Sequence, residues 1–244
     1  FLPQLVESAF QHVIGLERVC VLAEQPRAVT PFDTTWLPWG HFPWPYPTLL
    51  RYRAMSAYGS HLASSDVVLY VDVDMLFVGP VDVSDVSGTL AVRHPGFVGQ
   101  APEACPYERR PESAAYVAFG DGDLYFCGGV QGGSAGAFLQ ACEMIGDRIE
   151  DDLGRNVIPI WHDESAWNRY CVDVPPATVL SSDYCTPDTD RRASSRILAL
   201  SKNHAHFRES TIRQRLASRR RWLVNKGHGL KRRLVASHPL DPRR

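Results

Sequence analysis

The run Val67-Val68-Leu69-Tyr70-Val71 carries no polar alternation and passes directly into Asp72-Val73-Asp74. An apolar pentad rich in β-branched residues reads as a central strand covered on both faces, the strand type of α/β sheets. In open α/β sheets ligands bind beyond the carboxyl ends of the strands, so acids delivered there face a site and not the core. Two carboxylates at i and i+2 of an extended chain share a face. Together they offer hard oxygens that Mg2+ or Mn2+ accepts alongside a diphosphate. The alternative for Asp72 and Asp74 is a solvated strand end, and the all-apolar strand before them favours the ligand reading.

The flanking pattern alternates helices with strands. Leu2, Leu5, Val6, Ala9, Phe10 and Val13 recur at helical spacing over residues 1–14, and 18–23 read as a buried strand ended by Glu24-Gln25-Pro26. This opening helix is expected to follow a strand, and the chain starts with Phe1 rather than Met, so a preceding segment is expected. Residues 34–47 interleave Trp36, Trp39, Trp44 and Tyr46 with Pro38, Pro43, Pro45 and Pro47 and are expected to lack regular structure. The loop is either a sugar-stacking lid or a segment whose Trp residues pack on the core. A helix over 48–62 precedes the apolar strand. After it come a strand at 89–93, a long loop over 94–111, and Leu124-Tyr125-Phe126-Cys127 as a strand running into Gly128-Gly129-Val130-Gln131-Gly132-Gly133. Ser134 is placed to cap a helix reaching about Leu153 and ended by Gly154. A second helix starts near Asp163, with short strands at 178–180 and 197–200. The whole predicts an α/β fold with a mixed, Rossmann-like central sheet flanked by helices.

With 244 residues, 44% of them hydrophobic, the chain can bury a full core, which excludes a disordered protein. Six cysteines without CxxC spacing predict packed, reduced thiols and a cytoplasmic setting. No apolar run approaches the roughly 20 residues of a membrane-spanning helix. From Arg208 onward Lys and Arg dominate, with Glu209 and Asp241 the only acids. Leu216, Trp222, Leu223 and Leu230 are mixed among them, as in an amphipathic membrane-surface segment. Nucleic-acid binding and a solvated tail are the alternatives. The expected organisation is a catalytic domain over 1–208 and a basic tail over 209–244, in peripheral contact with the inner membrane face and binding no nucleic acid.

Trp161-His162-Asp163-Glu164-Ser165 supplies a second acidic element. Glu164 is a candidate nucleophile or ion-pair partner for an oxocarbenium-like carbon, with His162 and Asp163 on donor-sugar hydroxyls and phosphate. Otherwise the two acids are the first turn of a helix, favoured there by its dipole. Gly128, Gly129, Gly132 and Gly133 match neither common phosphate-loop fingerprint. They read as close backbone approach to a bulky ligand, or as a tight strand-to-helix turn. Lys202 and Arg208 are candidates for a diphosphate clamp, or are simply solvated.

Taken in order, several blocks resemble glycosyltransferase family 6, the family of the blood-group A and B transferases and α-1,3-galactosyltransferase. They are Val71-Asp72-Val73-Asp74-Met75, His94-Pro95-Gly96-Phe97, Tyr107-Glu108-Arg109-Arg110-Pro111, the paired glycines, Trp161-His162-Asp163-Glu164-Ser165 and Lys202-Asn203-His204. The resemblance runs over nearly all of 1–208. It implies a GT-A fold, a UDP-GalNAc or UDP-Gal donor, Mn2+ (or Mg2+), and α-1,3 transfer with retention. Carried across by position, Asp72 and Asp74 bind metal and diphosphate, Arg51 is the donor-site arginine and Glu164 is the catalytic glutamate. His162 and Asp163 bind the donor sugar, and Lys202 and Arg208 close over the diphosphate. His94 and Trp161 are acceptor ligands, and Cys127 and Gly129 select the sugar, Gly129 matching the GalNAc-using pattern. Pro106 replaces a threonine of the family pattern, and the expected acidic acceptor ligand falls at Pro187, beside Asp188. Asp72-Val73-Asp74 matches the mammalian type of metal dependence, where bacterial members mostly carry Asn-x-Asn, but the missing membrane anchor looks bacterial, so a bacterial-type member is expected. The family's first strand should precede Phe1.

The expected protein is therefore a metal-dependent retaining hexosyltransferase acting on a galactoside-type, lipid-linked glycan acceptor. Its rivals are a nucleotide-sugar or glycan-binding relic without turnover, and a metal-dependent hydrolase.

Overall fold

The computed structural model describes residues 1–24 and 34–202. Arg208 and the basic tail, 209–244, lie outside the described residues. Phe1–Gly40 and Thr48–Lys202 form one compact unit. His41–Pro47 lie outside that unit, and within that heptad the Tyr46 amide donates to the Pro43 carbonyl.

Elements follow the alternating pattern. In order they are α1 (Leu2–His12), β1 (Val19–Ala23), β2 (Thr34–Pro38), α2 (Tyr46–Leu49), α3 (Arg51–Ala57), α4 (Gly59–Leu62), β3 (Val67–Val71), β4 (Met75–Phe77) and β5 (Thr89–Arg93). Then come β6 (Phe126–Ser134), α5 (Ala135–Gly154), α6 (His162–Asp173), β7 (Thr178–Leu180), β8 (Thr186–Pro187) and β9 (Ile197–Ala199). The strands form a four-stranded mixed sheet β3-β6-β5-β7, a three-stranded sheet β4-β9-β8 and a parallel β1-β2 pair. Leu90, Val92, Val130, Phe77 and Ile197 meet in the main core cluster with Leu5 and Ala9 of α1. Helix α5 packs against α3, α6 and β6. No helix among the described residues is long and apolar enough to cross a membrane.

Three expectations are corrected. Residues 34–38 form a strand, because Thr34-Thr35-Trp36-Leu37 favours extended backbone and the prolines crowd only its far end. The helix expected over 48–62 is three short helices, broken at Leu50 and Tyr58. β3 is an edge strand of the described sheet, not a central one, and all five residues are half-buried. Its antiparallel pairing with β6, Val71 opposite Val130, lays the acidic turn beside Gly128 and Gly129.

The glycine run is itself strand. A Cβ on Gly132 would lie 2.5 Å from the Val68 carbonyl oxygen, and one on Gly133 2.3 Å from that of Gly88. These two glycines are required by neighbouring backbone, not by a ligand. Gly132→Ala is expected to push β3 from β6 and destabilise the chain by about 1–3 kcal/mol in a thermal melt. An unchanged melt would show that β3 can yield at no cost. Ser134 occupies the position before α5, but its hydroxyl makes no capping bond.

Candidate active site

Arg51 opens α3 and lies nearly buried between two acids. Its guanidinium bonds Asp72 Oδ1 at 3.0 Å and Asp163 Oδ2 at 2.8 Å, donates to the Gly128 carbonyl at 3.1 Å, and stands over the Tyr70 ring. Burial alone would lower the guanidinium pKa, but Asp163 and Asp72 outweigh it and hold the charge firmly. Asp72 Oδ1, just past the end of β3, also accepts from the Tyr70 hydroxyl at 2.6 Å. Asp163, buried among these groups, is pushed up to about 6 by burial, opposed by Arg51 and reinforced by Asp72.

Glu164 follows in the first turn of α6, where the helix dipole favours acids. Its carboxylate nonetheless leaves the helix: Oε2 accepts from the Gly128 amide at 2.8 Å and Oε1 from Tyr125 at 3.0 Å. Burial pushes Glu164 up to about 7, although both hydrogen bonds pull it down. The acidic helix turn and the site acid are thus the same residues. His162 enters α6 with a left-handed φ of 52° and lies half-buried.

The Asp-x-Asp geometry is corrected. Residues 73–74 are a turn joining β3 to β4, so the alternation of extended chain does not apply and the two acids take different partners. Asp74 is buried and pairs through Oδ2 with Lys202 at 2.7 Å. Asp72 Oδ2 and Asp74 Oδ1 accept no hydrogen bond among the described residues. Two such anionic oxygens fit a divalent cation that completes its shell from a ligand. No group of three or more His, Cys, Asp and Glu side chains suited to a metal occurs among the described residues.

Other expected residues sit around this cluster. A Cβ on Gly129 would lie 2.3 Å from Met75 Cε and 3.4 Å from Asp72 Oδ2, so a side chain there would have to displace the flexible end of Met75 beneath the acidic turn. Cys127 is buried in the core near Cys185, and no disulfide joins cysteines among the described residues. His94 Nδ1 accepts from the Gly96 amide, and its ring meets Phe97 and Tyr125. Trp161 is half-exposed, and its amide donates to Ser165 Oγ at 3.0 Å. Sequence reasoning missed Tyr70, Tyr125, Tyr52 and Gln131 because each read as an ordinary strand or helix residue. It also missed what Glu108 does. That buried carboxylate accepts from the Arg110 amide and guanidinium and from the Ile160 amide, fixing the turn that starts α6.

A family model described as glycosyltransferase family 6 matches residues 44–213. The chain belongs to glycosyltransferase family 6. Among curated glycosyltransferases it is 36% identical over 119 residues to rat histo-blood group ABO system transferase 1, covering 49% of this chain and 34% of that protein. It is 31% identical over 154 residues to human globoside alpha-1,3-N-acetylgalactosaminyltransferase 1, covering 61% of this chain and 44% of the relative. The Escherichia coli O-antigen biosynthesis glycosyltransferase WbnI is 26% identical over 147 residues, covering 59% of this chain and 62% of its own length. The chain thus spans less than half the length of the first two family 6 relatives.

Proposed function

We propose that this chain carries the GT-A catalytic core of a retaining transferase. It would move GalNAc, or Gal, from a UDP-sugar to a galactoside-type acceptor in α-1,3 linkage. The observation that carries this reading is Glu164, suspended between the Gly128 amide and the Tyr125 hydroxyl next to the Arg51 cluster. Family membership and the name of the human relative, a globoside alpha-1,3-N-acetylgalactosaminyltransferase, support the choice of sugar and linkage.

In this reading Asp72 and Asp74 would hold Mn2+ or Mg2+, which when bound would neutralise charge on the diphosphate leaving group. Lys202 keeps Asp74 in place and lies ready for phosphate, with Arg208 as its expected partner. Arg51 holds Asp72 and Asp163 in fixed orientation, so Asp163 and His162 can receive the sugar hydroxyls. Gly129 and Cys127 are the proposed sugar-selecting positions, Gly129 matching the GalNAc-using pattern of the family. Glu164 faces the anomeric carbon as a carboxylate, stabilising positive charge as the bond to UDP breaks. His94 and Trp161 border the acceptor side. The acceptor is proposed to be lipid-linked, with the basic tail at the inner membrane face.

Incubation with UDP-GalNAc or UDP-Gal, in Mn2+ or EDTA, tests this through UDP release. Release that needs Mn2+, favours one sugar and falls on the order of 100-fold in Asp72→Asn is expected. A binding relic releases no UDP, and a hydrolase gives free sugar that added lactoside cannot divert.

A further inference from the structure

The pairing of β5 with β6 breaks at the site. Ala91 faces Gln131, yet Arg93 faces Phe126, where regular pairing would bring Gly129. The intervening residues of β6 bulge out of that ladder, and bulges re-aim backbone next to functional sites. Gly128 lies in this bulge. Its amide donates to Glu164 Oε2, and a Cβ there would crowd Glu164 Cβ at 3.2 Å.

A carbonyl lifted from a ladder needs another partner. The Gly128 carbonyl receives two, Arg51 at 3.1 Å and Gln131 Nε2 at 2.9 Å. Gln131 has no exposed surface, and its Oε1 accepts from the equally buried Tyr52 hydroxyl at 2.9 Å. The Gly128 carbonyl, which can only accept, fixes which end of the amide faces it, and the Tyr52 hydroxyl then donates to the other end. An apolar residue would fill this core position without a desolvation cost, so a hydrogen-bonded polar pair there specifies one bulge geometry. The chain of contacts runs Tyr52, Gln131, Gly128, Glu164.

We propose that Gln131 and Tyr52 are positioning residues: together they set the Gly128 bulge, and through it the placement of the Glu164 carboxylate against the donor sugar. This rests on the reading of Glu164 as the carboxylate at the anomeric carbon. The pair bonds neither the acidic turn nor Lys202 and shares only the Gly128 carbonyl with Arg51, so its main effect is on turnover rather than on donor affinity.

The test compares Gln131→Leu, Tyr52→Phe and the double variant in the full chain, measuring kcat and KM for the UDP-sugar together with thermal melts. Gln131→Leu is expected to lower kcat roughly 10- to 100-fold with KM within about twofold, as misplaced catalytic groups do. The double variant should be no slower than Gln131→Leu alone, because both act through one contact. Gln131→Met keeps the side-chain length and replaces Gln131→Leu if the latter does not fold. An unchanged kcat, a loss confined to KM, or additive losses that track the melting temperature would each overturn the proposal. Glu164→Gln separates the two levels: if it retains turnover, the reading of Glu164 fails; if it is dead while Gln131→Leu runs normally, only the positioning role fails.

Discussion

Glu164→Gln is expected to lose turnover on the order of 1,000-fold or more while melting at a higher temperature near pH 8 than the parent chain. The loss follows from removing a fixed charge at the reacting carbon. The gain follows from linkage. Burial raises the folded-state carboxyl to about 7 from the ordinary glutamate value. A carboxylate raised on folding binds its proton more tightly when folded. It therefore costs nothing below the unfolded value, costs progressively more as pH rises towards 7, and costs a constant amount above that. The full cost is at most about 3 kcal/mol. Because the amide offers one acceptor where two donors wait, at Gly128 and Tyr125, a net gain of about 1–2 kcal/mol is expected. Melts at pH 8 and pH 4 check the sign: the advantage should vanish at the lower pH. A variant that melts lower at pH 8 would show that the site favours the carboxylate in the ground state.

Arg51→Met should be the most destabilising single change in the site, by about 3–5 kcal/mol at pH 8, because it strands Asp72 and Asp163 without their shared cation. Part of that loss should return at pH 5.5. Asp163 already stands near 6 with the guanidinium in place, and removing its counter-charge moves it higher still, so acid neutralises the stranded charge. Arg51→Lys should recover little, since one ammonium cannot span both carboxylates and the Gly128 carbonyl. Chemical denaturation at the two pH values measures both effects. Equal losses at pH 8 and 5.5 would mean that Arg51 acts through packing rather than charge.

The legible parts of the molecule were those written in local pattern. The apolar pentad, the periodic helix 135–154 and the acidic start of α6 were readable because each depends on near neighbours in the chain. What the glycines do was not readable. Gly128 and Gly129 line the acidic cluster while Gly132 and Gly133 accommodate crossing backbone. All four share one composition, and only the strands laid against them separate the roles. Likewise Asp72-Val73-Asp74 reads as an extended tripeptide, but the chain turns at 73–74 to start β4, sending its acids to Arg51 and Lys202.

By itself the sequence determined the family and the mixed α/β class, and it singled out the acids that the proposed chemistry uses. Those follow from ordered motifs and from hydrophobic periodicity. Tertiary structure alone decided that Arg51 joins Asp72 to Asp163, that Tyr125 and Gly128 hold Glu164, and that a buried Tyr52–Gln131 pair closes the bulge beneath it. These contacts join residues 21 to 112 positions apart in the sequence. Their cause is the antiparallel register of β6 between β3 and β5, which no local propensity encodes.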